Sequence, residues 1–470
     1  MAKIHGLMDM GKRSLMLNQT ALQTTSHNIA NKSTEGYSRQ RVDIQSNPAI
    51  GDGKTRIGTG ADAAAITRSN NPWLEKQIER EGSNLAFADG RSQALAKLET
   101  VMNEQTVKGM NGSVTNFFNS FRELANNPES ATVRTIVKDN SSSLIRNFQD
   151  MDRQIDGVVG ELNKEIESGV REANGFTKEI AQLNEKIMNI EITGAHANDE
   201  RDRRDLLVKN LAEKMNISYA EDTKTGMLNI TGGQTGILVA GTSANALKTT
   251  TNSDNKTIIQ AELSKDGMRS DITNQFTRGS VGAAIELREG VVTDLKTQLE
   301  NLAYNLATEV NRAHTEGFDR NGKPAVELFD IPTTGNFSVQ DLKLNKDIVN
   351  DVSLIAAGAK ANAPGDNTTA NVIHSLQFKP LMEDGKYTFD DFYNSKVGQI
   401  GVMAQTANSS FESQKNVVDQ LKNTRESISG VNLDEEATKM IEFQKSFEAS
   451  ARIIKVADEM FDTVLNLKRM

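Results

Sequence analysis

Cysteine is absent from this chain of 470 residues, and aromatic residues make up only 5 % of it. Without a thiol, the chain can form no disulfide, no thiolate zinc site and no cysteine nucleophile. The hydrophobic share of 37 % also lies below the range typical of globular domains. We therefore expect an elongated molecule whose surface is large relative to its core.

Long apolar runs are missing as well. No stretch approaches the length that spans a bilayer, and the first residues lack the apolar centre of a cleavable signal peptide. We expect no membrane partner. If the protein leaves the cell, we expect it to use a route other than general secretion.

The charge balance is acidic, with a formal net charge of −9. Nucleic-acid binding needs clustered basic side chains, because these displace the counterions of the phosphates. The one arginine-rich stretch, Arg201 to Arg204, alternates with aspartate and glutamate, so its charge nearly cancels. We expect no nucleic-acid partner, and we interpret this stretch as a solvated helix face.

Motifs that would carry chemistry are not found either. No two of the five histidines have the spacing of metal ligands. We expect no metal, no cofactor and no enzymatic activity, although a zinc site or a histidine triad could still assemble from distant residues. The single tryptophan, Trp73, is either an interface anchor or, as we favour, a packing residue of the first helix of the body.

What the sequence does contain is a seven-residue apolar pattern at each end. A strict repeat of seven keeps one seam facing a partner helix, which predicts a coiled coil. Both ends therefore either meet each other or meet another subunit, as in an assembly protein. The seam residues are Met1, Met8, Leu15, Leu22 and Ile29 near the start, and Met440, Phe443, Phe447, Ile454, Ala457, Phe461 and Val464 near the end.

Between the ends, helical periodicity dominates. We predict a mainly α fold with inserted β-rich regions, an elongated body built as a bundle of long helices, and terminal helices that form a coiled coil. Glycines from Gly157 to Gly175 predict a kink or break in the longest helix. The predicted segments are an N-terminal coiled-coil helix at 1–35 pairing with 432–470, a helical body at 36–215 with 281–317 and 396–431, a β-rich region at 216–280, and a mixed, turn-rich region at 318–395.

Specific motifs at both ends resemble those of bacterial flagellar axial proteins. The ending Tyr37-Ser38-Arg39-Gln40 is most similar to the hook-associated protein 1 family. The resemblance covers most of the chain and is weakest in 216–280 and 318–395. The motifs that carry it are Ala21–Asn31 with Ser33–Gln40 at the start, Ser429–Glu436, Phe443-Gln444, Ala449–Arg452 and Ala457–Phe461 at the end, and Ala197-Asn198-Asp199 and Gly279–Gly282 inside.

The resemblance implies a structural role without catalysis. Members of this family form a ring at the junction of the flagellar hook and filament, with the terminal helices as an inner coiled-coil layer. They are exported through the flagellar type III channel and so reach the extracellular flagellum without a cleavable signal peptide. The implied partners are further copies of the chain, the hook subunit, the second hook–filament junction protein, and an export chaperone on the C-terminal helix 432–470. Another axial role, as the second junction protein or as a hook or rod subunit, stays open.

Overall fold

A computed structural model describes residues 2–50, 56–102, 109–262, 269–332 and 337–467. Helices dominate it, and the mainly α fold class is confirmed. None of the helices in these ranges combines the length and apolar content that a membrane crossing requires. The helices are α1 (Ala2–Ala30), α2 (Pro72–Met102), α3 (Met110–Asn126), α4 (Ala131–Glu191), α5 (Asn198–Lys214), α6 (Gly279–Leu287), α7 (Thr293–Thr315), α8 (Lys346–Asn350), α9 (Thr368–Leu376), α10 (Phe389–Ser429) and α11 (Leu433–Leu467).

The 61-residue helix α4 is the spine of the body. At about 1.5 Å per residue it extends over about 90 Å, which makes the molecule elongated. Ser130 caps its start by accepting a hydrogen bond from the Val133 amide. The break predicted near its glycines is absent. One of them, Gly169, instead lets α6 approach closely, because a Cβ there would overlap the Val281 side chain.

Phenylalanines form the centre of the body core. The Phe117 ring on α3 lies edge-on to that of Phe118, with centroids 5.1 Å apart, and Phe118 stacks on Phe389 of α10 at 6.2 Å. Trp73 is not part of this core. Its side chain is 72 % exposed, so the favoured packing role was wrong: the neighbouring Leu74 faces inward instead.

Short antiparallel strands form the inserted β structure. β1 (Gln40–Ser46) pairs with β2 (Ala61–Arg68) in a hairpin. A four-stranded sheet follows the order β3-β4-β5-β6, and β7, β8 and β9 make a three-stranded sheet. The remaining strands are β3 (Ile217–Glu221), β4 (Leu228–Gly232), β5 (Gly236–Ala240), β6 (Ser243–Ala244), β7 (Lys248–Thr251), β8 (Thr257–Glu262), β9 (Arg269–Asp271), and the pair β10 (Phe329–Asp330) and β11 (Lys343–Leu344).

Three asparagines of α4 hold the two inserted sheets. Asn163, Asn174 and Asn184 lie about three turns apart and so share one face of the helix. Their side-chain oxygens accept backbone hydrogen bonds from Thr257, Leu247 and Leu228, at 3.1, 2.8 and 3.0 Å respectively. The β insert is therefore docked on the spine by its backbone.

A buried histidine fastens the mixed region after α7. The Nδ1 of His314 lies 2.6 Å from the Val326 carbonyl, and its Nε2 accepts a hydrogen bond of 2.9 Å from the Ala356 amide. Because Nε2 accepts, the ring is neutral. Burial lowers the pKa of His314 to about 4.

Helix α10 runs antiparallel to α2. Gln414 donates a hydrogen bond of 2.7 Å to Glu81, and Arg425 donates one of 2.9 Å to Glu75, nearer the start of α2. The chain turns after Ser429, and the Asn432 side chain accepts a hydrogen bond of 2.9 Å from the Asp434 amide. Helix α11 begins at this cap and packs along α1.

Candidate assembly interface

The inner row of α1 at its contact with α11 consists of small and polar residues. Its positions are spaced by three and four, as in a heptad seam, and all but one are fully buried. A larger side chain does not fit at the end of the row that is farthest from Asn28, because a Cβ on Gly11 would lie 2.7 Å from Ile454 Cγ1. The row is Gly11, Ser14, Asn18, Ala21, Thr25 and Asn28.

Polar contacts set the register of this helix pair. The Ser14 and Ser450 hydroxyls share a hydrogen bond of 2.8 Å, and the Asn18 amide donates to the same Ser450 oxygen at 3.4 Å. Farther along, the His5 and Phe461 rings have centroids 5.5 Å apart. A shift of one turn would separate each of these pairs, so the pairing of the two ends has a single register.

The apolar seam residues named from the sequence divide between two environments. Of the α11 residues, Met440, Phe443, Phe447, Ile454 and Phe461 are half-buried along the row that faces α1, while Val464 is exposed. On α1, Met8, Leu15, Leu22 and Ile29 lie one position beyond Leu7, Ser14, Ala21 and Asn28, and are half-buried at the flank of the pair. Met1 lies outside the described residues. Ala457 is fully buried.

Further apolar side chains of α11 are more than one third exposed in the described chain. Ile441 and Val456 are 60 % and 51 % exposed. Surface patches of this kind mark contact sites on other molecules. The exposed residues are Leu433, Ile441, Ile453, Val456, Met460, Val464 and Leu465.

Asn28 is the hub where the two terminal helices join the body. Its amide group donates to Glu436 at 2.8 Å and to the Gln40 carbonyl at 2.9 Å. Its oxygen accepts from the Tyr37 hydroxyl at 2.8 Å and from the Gln40 amide at 2.9 Å. All four hydrogen-bonding positions of the side chain are thus used, which no other residue type of this size can reproduce.

Glu436 is the buried charge of this hub, with 1 % of its surface exposed. Arg39 compensates it: the guanidinium lies 2.8 Å from one oxygen of Glu436, and 3.2 Å from Glu435. Carboxylates in the first turn of a helix, such as Glu435 and Glu436 of α11, ordinarily interact with the positive end of the helix dipole. For Glu436 the structure corrects this, because its carboxylate points into the hub and binds Arg39 and Asn28.

The loop between α1 and β1 is also tied to α5. The Ser38 amide donates to Asp202 at 2.7 Å, and Gln40 donates to Asp199 at 2.7 Å. Arg68 of β2 lies 2.6 Å from Asp202. Burial raises the pKa of Asp202, and Arg68 opposes that rise. Asp199 and Asp202 therefore dock the hairpin on α5. The expectation of a solvated helix face was wrong for Arg204, which is 1 % exposed and binds Asn184 and Glu221.

Arg425 fixes the same loop from the side of α10. It donates to the carbonyls of Gly36 and Tyr37, both at 3.2 Å, and to Glu75. Burial acts to raise the pKa of Glu75, but its ion pairs with Lys209 and Arg425 lower it overall. The connection from the body to the terminal pair is thus held by charged groups on three helices.

The hub has no catalytic geometry. His27 lies between the Tyr37 hydroxyl, at 3.1 Å, and Asp199, at 3.5 Å. The Tyr37 hydroxyl donates to Asn28, and burial raises its pKa, so it is not an activated nucleophile. In the described ranges, no group of three or more His, Asp or Glu side chains is placed to hold a metal ion.

Comparison with known proteins supports an axial assembly role for these elements. The family model "Flagellar hook-associated protein FlgK helical domain" matches residues 95–329, and the model "Flagellar basal body rod FlgEFG protein C-terminal" matches residues 423–467. The chain is 26 % identical to flagellar hook-associated protein 1 of Bacillus subtilis (strain 168), covering 98 % of this chain and 97 % of that protein. It is 25 % identical to the Escherichia coli (strain K12) protein of that name, covering 96 % and 97 %.

A solved structure has the same fold. The flagellar hook junction protein FlgK from Burkholderia pseudomallei superimposes with a TM-score of 0.68 at 16 % sequence identity. The match covers 75 % of this chain and all of that one. At this identity the match establishes the architecture alone.

Proposed function

This chain belongs to the flagellar hook-associated protein FlgK family, and on that premise we propose that it is a structural subunit of the bacterial flagellum that joins the hook to the filament. The observation that carries the proposal is the single-register pairing of the two chain ends, whose flanks leave apolar side chains uncovered. Those flanks are suited to contact neighbouring copies. The protein acts by assembly and needs no catalytic step.

We infer that further copies of the chain are the first partners. The flank residues Met8, Leu15, Leu22 and Ile29 would complete an inner coiled-coil layer against α11 of a neighbour. The hook subunit and the second hook–filament junction protein would contact the two ends of the resulting ring. Other axial roles are less favoured, since the rod-protein model matches only the C-terminal helix region, 423–467.

Export would precede assembly. A chain without cysteine can pass unfolded between compartments without mispairing of thiols, which suits the flagellar type III channel. Before export, Phe443, Phe447 and Ile454 of α11 would be uncovered, because α1 is not yet paired with it. We propose that an export chaperone covers this row. The chaperone should therefore bind the chain in the cytoplasm and be absent from the assembled flagellum.

Deletion of the gene tests the proposal. We expect hooks to persist, filaments to be lost and flagellin to appear in the medium, as seen by electron microscopy and immunoblotting. Loss of the hooks themselves would indicate a rod or hook subunit. Normal swimming would refute the assembly role.

A further inference from the structure

Trp73, the only tryptophan of the chain, lies at the rim of a cleft in the body. The cleft has a volume of about 390 Å³ and lies between the first turns of α2, the end of α5 and the segment that enters α6. Exposed tryptophans are enriched at the energetic centres of protein interfaces. The indole is therefore an anchor that no group in the described chain covers.

The cleft also contains polar atoms that lack partners. Ser83 is buried, and within the described ranges its hydroxyl has no hydrogen-bond partner; the same holds for the side-chain oxygen of Gln77. Both residues line the cleft. A buried polar atom left unpaired costs about 1–3 kcal/mol, and a docked partner with hydroxyl or amide groups would remove that cost.

Three of the four charged side chains that line the cleft, Lys76, Glu79 and Arg80, already have a partner, and the fourth, Arg278, is exposed next to the start of α6. Arg80 lies 2.9 Å from Glu81, and Glu79 accepts a hydrogen bond of 2.8 Å from Tyr219. The Lys76 ammonium lies 5.7 Å from the centre of the same tyrosine ring. An occupant that fits the cleft is therefore mainly uncharged. It has an aliphatic side chain that packs on the Trp73 indole, and polar groups that form hydrogen bonds with Ser83 and Gln77.

Helix α10 has a surface of this chemistry. Between 402 and 428 one flank of this helix carries no charged residue, although a quarter of the chain is charged. The charged residues of that stretch lie at least a quarter turn from the middle of this flank. Interface centres are depleted in charge in the same way. We call this surface the neutral face; it includes Val402, Thr406, Ser413, Val417, Thr424 and Ile428, all exposed.

Within one copy, the cleft on α2 and the neutral face of α10 lie at the same level along the two antiparallel helices. The pairs Arg425–Glu75 and Gln414–Glu81 set α10 beside α2, which puts Ile428 level with Trp73, and Val417 level with Arg80. On α2, the residues that line the cleft lie on the side opposite those that face α10. One copy can therefore offer the two surfaces to two different neighbours, as a closed ring requires.

We propose that the Trp73 cleft of each copy receives the neutral face of α10 from the next copy. This inference rests on the proposed function, since it needs a ring of copies. Trp73 would pack against Ile428, and the hydroxyl and amide groups of the neutral face would pair with Ser83 and Gln77. The contact is heterologous, so it propagates from copy to copy.

The absence of cysteine makes disulfide cross-linking a clean test. The double variants Trp73→Cys/Ile428→Cys and Arg80→Cys/Val417→Cys, each in the full chain in a deletion strain, are oxidised in swimming cells. We expect a ladder of linked copies that disappears on reduction. The second pair leaves Trp73 in place, so it tests the contact even if the first pair weakens assembly.

Matched controls separate this proposal from the proposed function. Trp73→Cys/Ile192→Cys, whose partner position is exposed directly after the end of α4, should give no ladder. Trp73→Cys alone should give no dimer. Cells that swim but yield no ladder from either test pair, or that yield dimers from the single variant, would overturn the proposed contact while leaving the junction role intact. Absence of the wild-type chain from flagella would instead refute the junction role.

Discussion

Asn28 of the first helix and Glu436 of the last are 408 residues apart in sequence, yet a hydrogen bond of 2.8 Å joins their side chains. This contact closes the chain on itself where both terminal helices leave the body. It also explains why the two end motifs occur together: each supplies half of one buried hub.

Substitutions in the hub should lower the free energy of unfolding more than substitutions at any other polar site outside the core. Replacing Asn28 with Ala removes four hydrogen bonds and leaves the buried Glu436 with only its ion pairs to Arg39 and Lys439. We therefore expect the free energy of unfolding to fall by about 2–3 kcal/mol. Urea denaturation measures this change. Gln23→Ala, on the exposed side of the same helix, should change it by less than about 0.5 kcal/mol. Equal effects from both variants would show that the hub contributes little.

The α11 row that faces α1 should be essential for assembly. Phe447→Asp or Ile454→Asp places an unpaired carboxylate in the helix pair, and we expect at least about a tenfold loss of filaments per cell. The helical content of the body should stay unchanged by circular dichroism. Lys445→Asp, an exposed change on the same helix, is the control. Wild-type motility with Phe447→Asp would remove this row from the assembly account.

The free helix pair should open locally from its distal end. Its inner row on α1 is small and polar, so pairing buries little apolar area, while the proximal end is held by the hub. In hydrogen exchange of the free chain, we expect the amides of 2–17 and 448–466 to exchange faster than those around Asn28. In assembled flagella they should be protected. Equal protection of the distal and proximal amides in the free chain would contradict this prediction.

Acid should destabilise the body through His314. The pKa of His314 is about 4 in the folded chain and about 6.5 when unfolded, so only the unfolded chain takes up a proton between these values. Stability is therefore complete above pH 6.5 and falls as the pH drops to 4, by about 3 kcal/mol from this group. Denaturation of His314→Gln across this range should show a shallower slope, whereas the exposed control His196→Gln should keep the wild-type slope.

Much of the fold follows from periodicity, as the long helices and the inserted β strands demonstrate. The inner row of α1 was missed because a search for apolar repeats passes over Gly11, Ser14 and Asn18, although their spacing is the same. In the sequence, Glu436 resembles any other carboxylate in the first turn of a helix. Its partner Arg39 lies near the other end of the chain, so the residues around Glu436 do not indicate that it is buried. The packing role predicted for Trp73 was wrong because aromatic side chains are usually buried, and the sequence does not show whether this one points into the core or into solvent.

The location of the chain in the flagellum tests the central claim most directly. Immunogold electron microscopy with antibodies against the body should place the label in one narrow band between hook and filament. Label along the filament, within the rod, or confined to the cell interior would contradict the account.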